Sequence, residues 1–200
     1  FDVGGILDLG LNDLSIVTAG GEVSIAGGVI SDGGALDIDA GTGSDADVEL
    51  ASFVGAAANL IITQSRSVEI VGALTANQLD IVDTTNTVAL SGPVSLNALT
   101  TTQGYGISFN DGGTIGGSTV FSNTGPLRFG DDGADSLVFS GGVDASTSAG
   151  RTLAGSIRAD TGALILGAST LTAATALVAD EVDITGALTG AFPLSIAQAT

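Results

Sequence analysis

Two hundred residues carry 22 carboxylates against four arginines (Arg66, Arg128, Arg151 and Arg158), a formal net charge of −18, with no Lys, His, Cys, Met or Trp. That inventory excludes zinc, haem and iron–sulfur centres built on Cys or His. It also excludes Schiff-base chemistry and a phosphate-loop lysine, and so acidic a chain is repelled by nucleic acid and anionic membranes. No apolar run approaches the ~18 residues of a membrane-spanning helix, so neither nucleic-acid binding nor membrane insertion is expected.

Hydrophobic residues make up 44% of the chain and charged ones only 13%, with a mean hydropathy of +0.51, so the acidity does not signal disorder. The chain opens Phe1-Asp2-Val3 with no initiating Met. Residues 1–200 read as one segment, an interior fragment of a much longer repeat protein.

In chain order, the first recognisable unit is Val23-Ser-Ile-Ala-Gly-Gly-Val. An apolar–x–apolar triplet then recurs at Val48-Glu49-Leu50, Val68-Glu69-Ile70, Val88-Ala89-Leu90, Ile107-Ser108-Phe109 and Leu127-Arg128-Phe129, at intervals of 20, 20, 19 and 20 residues. A second apolar segment follows about half a period later: Leu60/Ile62, Leu79/Ile81, Leu96/Leu99, Val120 and Leu137/Phe139. Each unit therefore offers two short strands, with a third hidden in the turns. The pattern weakens over Asp144–Gly150, which reads as a loop excursion. It then returns at Val182-Asp-Ile-Thr-Gly-Ala-Leu-Thr, which differs at two of eight positions from Val68-Glu-Ile-Val-Gly-Ala-Leu-Thr.

Alternation through Val68, Ile70, Gly72 and Leu74 places one set of side chains on a single face of a strand, whereas no stripe holds a 3.6-residue period. A 20-residue unit cannot bury its own apolar face, and stacking solves that problem because each unit covers the next. The expected fold is all-β: a right-handed parallel β-helix (β-solenoid) of about 20 residues per coil and roughly ten coils. At about 4.8 Å per coil it forms a rod on the order of 50 Å long. Gly72, Gly92, Gly141 and Gly186 fall at the corners, where the backbone must bend at little steric cost, and Ser52, Asp111 and Asp131 replace glycine at equivalent places. A β-sandwich array would repeat at about 100 residues instead.

The stretch Leu99–Leu166 contains Leu-Thr-Thr-Thr-Gln-Gly-Tyr-Gly-Ile-Ser-Phe and Ser-Asn-Thr-Gly-Pro-Leu-Arg-Phe-Gly-Asp-Asp-Gly-Ala-Asp-Ser-Leu-Val-Phe-Ser-Gly-Gly-Val. It resembles the β-strand repeats of very large bacterial surface proteins of the filamentous-haemagglutinin and autotransporter-passenger type. The resemblance is one of repeat style, and it implies a secreted, right-handed parallel β-helix at the bacterial cell surface, serving adhesion, biofilm or coat formation. The implied partners are further coils of the same chain or identical subunits, together with host-cell, polysaccharide or biofilm-matrix contacts.

Gly130-Asp131-Asp132-Gly133-Ala134-Asp135-Ser136-Leu137-Val138 is similar to the calcium-binding nonapeptide G-G-x-G-x-D-x-U-x, with Asp131 in place of the second Gly. Asn110-Asp111-Gly112-Gly113 lies one coil earlier, which would set Asp111 beside Asp131. Asp111, Asp131, Asp132 and Asp135 are thus the candidate Ca²⁺ ligands, against the alternative of a solvated Asp-Gly turn. Gly41-Thr42-Gly43-Ser44-Asp45-Ala46-Asp47 matches less well and reads as an exposed loop, and Glu49 and Glu69 belong to a solvated outer face. Glycoside hydrolysis needs two carboxylates across a groove; Asp80, Asp83, Asp111 and Asp131 would supply them only in principle. With one Tyr, seven Phe and no Trp to line a sugar cleft, no enzymatic activity is expected. The function expected is a stiff structural or adhesive rod, or alternatively the subunit of a self-assembling filament or sheath.

Overall fold

The computed structural model describes residues 1–199, which form 24 β-strands and, among the described residues, no helix. The strands wind into ten coils, each with up to three sides, and pair in parallel with the coils before and after.

Face 1 contains the sequence triplets. Its inward positions form two unbroken columns. One runs Val23–Val48–Val68–Val88–Ile107–Leu127–Arg151–Ser169–Leu188, each residue in register with the next. The other runs Val3–Ile25–Leu50–Ile70–Leu90–Phe109–Phe129–Leu153–Leu171. Between them the outward column carries Ser24, Glu49, Glu69, Ala89, Ser108, Arg128, Thr152, Thr170 and Thr189. Period-2 alternation thus places Val and Leu inside and acids or hydroxyls outside.

Face 2 stacks Leu7, Val29, Phe53, Leu74, Val94, Gly113, Leu137, Ile157, Leu177 and Ile196. Face 3 stacks Leu14, Leu36, Leu60, Leu79 and Leu99. It continues through the Thr101–Phe121 bridge to Val143, Leu164 and Val182. The half-period segments of the sequence are therefore not one series. Leu60/Ile62, Leu79/Ile81 and Leu99 lie on face 3, whereas Leu96 and Leu137/Phe139 lie on face 2. Val120 points outward, 55% exposed, between the inward Thr119 and Phe121. Corner length causes the confusion: three residues join Phe109 to Gly113, but seven join their register partners Phe129 and Leu137.

The two near-identical octapeptides occupy different places. Val68–Ile70 is on face 1 and its Gly72 turns into face 2, whereas Val182–Ile184 is on face 3 and its Gly186 turns back towards face 1. The same local chemistry builds two different corners. These glycines are needed less for bending than for close approach. A Cβ on Gly92 would lie 2.4 Å from the carbonyl carbon of Gly72, and one on Gly186 would lie 2.4 Å from the amide of Ala168. The expected excursion is shorter than Asp144–Gly150, since Val143–Ala145 is a strand on face 3 and residues 146–150 alone leave the ladder.

The interior is mostly aliphatic, and its phenylalanines concentrate in coils six and seven, where Phe109, Phe121, Phe129 and Phe139 pack with ring centroids 5.4–6.2 Å apart. Such tilted and edge-on pairs add about 0.5–1.5 kcal/mol each beyond area burial.

Candidate functional site

Four more residues join Phe129 to Leu137 than join their register partners one coil earlier, and they swell that corner into the loop 130–136. Leu137 is buried and anchors the strand that follows, as the nonapeptide resemblance implies. Asp131 and Asp132 are exposed and Asp135 is half-buried, and one carboxylate oxygen of each lies within 4.8 Å of the others. Asp111 is exposed and outside this group. Because the longer loop bulges past it, Gly112 packs on Ser136 instead, so close that a Cβ there would lie 2.2 Å from the Ser136 carbonyl oxygen. Asp111 is therefore not one of the carboxylates gathered there.

Two of the three clustered carboxylates, Asp132 and Asp135, have partners within the loop. Asp135 Oδ2 accepts the backbone N–H groups of Asp131 at 2.6 Å and Asp132 at 2.9 Å, and Asp132 Oδ1 accepts the N–H of Ala134 at 2.6 Å. The Asp135 carbonyl accepts the N–H of Ser156 in the next coil. Asp131 stands 3.9 Å from the Arg128 guanidinium. The donor set is all oxygen and so of the kind calcium takes, while the loop already uses those oxygens to satisfy its own amides, as Asx turns do.

The other acidic positions are dispersed. Asp80 is on the outer side of face 3, where burial pushes its carboxyl above the usual range. Asp83 follows that strand and accepts a 3.4 Å bond from Gln64, whereas Asp111 and Asp131 lie at the corner between faces 1 and 2. The loop 41–47 ends in Asp47, whose two carboxylate oxygens accept from Nε and Nη2 of Arg66. The hydrogen bond from Arg66 holds the Asp47 carboxyl below its ordinary value.

Two polar devices were not apparent in the sequence. Asn59, Asn77 and Asn97 form a side-chain ladder, with Nδ2–Oδ1 bonds of 2.9 and 3.2 Å. Their spacings of 18 and 20 residues were the available signal. Arg151 is 3% exposed, and its guanidinium donates to the carbonyls of Ala145, Ser146, Ser148 and Ala168. It ties the excursion 146–150 to the coil below.

No family model, curated protein sequence or solved structure matches this chain. What the coordinates define is the class: a parallel β-solenoid repeat protein of ten coils.

Proposed function

We propose that this chain is a non-catalytic segment of a structural or adhesive rod, at a bacterial cell surface or in the extracellular matrix. The observation carrying the reading is the unbroken register of face 1, where every coil pairs with its neighbours and none closes on itself. Such an array resists bending and offers a protease few unpaired segments. The repeat style, similar to filamentous-haemagglutinin and autotransporter-passenger repeats, supports an exported, surface-displayed location, and the acidic exterior keeps rods apart. Electron microscopy of the purified chain and antibody labelling of intact source cells test it. Isolated thin rods and surface labelling support the reading, whereas compact particles or labelling only after lysis overturn it.

A further inference from the structure

The outer side of face 1 sinks into an open groove of about 470 Å³ that crosses coils five to ten, about 24 Å along the rod at ~4.8 Å per coil. Its depth comes from small residues before each strand: Gly106, Pro126, Gly150, Ala168 and Ala187. Ser108, Thr152, Thr170 and Thr189 add hydroxyls and methyls along it. Although the chain holds 22 carboxylates, none is among the groove-lining residues. Arg128 is the one exposed cation there, its side chain 45% exposed. Its Nε donates to the Gly130 carbonyl at 3.2 Å, while Nη2 is 3.9 Å from Asp131, leaving terminal N–H donors for a ligand.

Chemistry narrows the occupant. The groove crosses strands whose backbone amides are already in ladders, so a peptide cannot add as a strand. It has neither aromatic platforms nor carboxylate or amide side chains to grip sugar hydroxyls. Carbon-rich walls, a single exposed cation and no acid among the lining residues remain, the usual make-up of a mostly apolar site with a few orienting polar groups. We propose that this groove binds a long-chain anionic amphiphile, its hydrocarbon lying along the coils and its carboxylate on Arg128. The rod's negative field opposes the encounter, but at physiological salt it is screened beyond about 8 Å. The proposal stands independently of the surface-rod reading.

The test is calorimetric titration of the folded chain with monomeric decanoate, beside decyltrimethylammonium as the cationic analogue and polygalacturonate as an acidic glycan. Two variants accompany it: Arg128→Gln, and Gly150→Leu, where a Cβ meets nothing within 4 Å and the side chain fills the groove. Saturable one-site decanoate binding, weakened about tenfold by Arg128→Gln and abolished by Gly150→Leu, is the expected result. Circular dichroism of both variants should match the parent. Absence of saturable binding, or binding that both variants retain, as uptake on the exposed end coils would give, overturns the proposal. Tighter binding of the cationic analogue, or polygalacturonate competing for the site, also overturns it, the latter in favour of a glycan groove.

Discussion

Leu127 is paired in register with Arg151, so the apolar inward column of face 1 passes directly from a leucine to a guanidinium. The charge is tolerated because four carbonyl oxygens receive it, with burial lowering its proton affinity and Asp144 opposing that trend. Removing the arginine leaves the buried carbonyls of Ala145 and Ser148 without their donor. Arg151→Ala is expected to destabilise the chain by about 3 kcal/mol. Arg151→Lys recovers only part of that, since an ammonium cannot reproduce the planar fork. Urea denaturation of the three proteins checks the order parent, Lys, Ala.

The corner glycines divide by what lies beneath them. At Gly92 a Cβ would meet the Gly72 backbone at 2.4 Å, so Gly92→Ala must push two coils apart and should cost about 2 kcal/mol or more. At Gly150 a Cβ meets nothing within 4 Å, so Gly150→Ala should be neutral or stabilising by up to about 1 kcal/mol. Equal losses at both sites, measured by denaturation, would contradict this division.

Loop 130–136 is closed by Asp135, whose carboxylate caps two amides. Asp135→Ala is expected to cost about 1–2 kcal/mol, and the melting midpoint should be the same in millimolar calcium as in EDTA. A midpoint that rises with calcium in the parent but not in Asp135→Ala would instead assign the loop a bound ion.

Tyr105 is fully buried, its hydroxyl donating to the Ile81 carbonyl and accepting the Thr102 N–H, both at 3.0 Å. Burial raises its pKa well above the ordinary 10.0. Above pH 10 the unfolded tyrosine loses its proton while the folded one keeps it, so the unfolded state binds fewer protons and stability falls as pH rises. The parent midpoint should therefore drop above pH 10. Tyr105→Phe should begin lower by about 1–2 kcal/mol and lose this alkaline slope.

The face 1 repeat was legible in the sequence because its triplets keep a nearly constant interval and an alternating pattern. The split between faces 2 and 3 was not, because corner length varies from three residues after Phe109 to seven after Phe129 and shifts every later apolar position. Local motif likeness misled for a related reason: Val68–Thr75 and Val182–Thr189 satisfy the same turn on different faces. The aspartates of 131–135 were legible as a cluster, whereas the exclusion of Asp111 depends on how far the loop bulges. The groove was invisible, since it arises from small residues about 20 positions apart that come together only by stacking.

The stacking itself is best measured with a molecular ruler. The chain has no cysteine, so Glu49→Cys can be combined in turn with Arg128→Cys, Thr152→Cys, Thr170→Cys and Thr189→Cys, and each pair spin-labelled for double electron–electron resonance. These positions share one outward column, successive members one coil apart. Mean distances should lengthen by about 4.8 Å with each coil. Distances that stay flat, fall, or scatter without regard to coil number would contradict the solenoid.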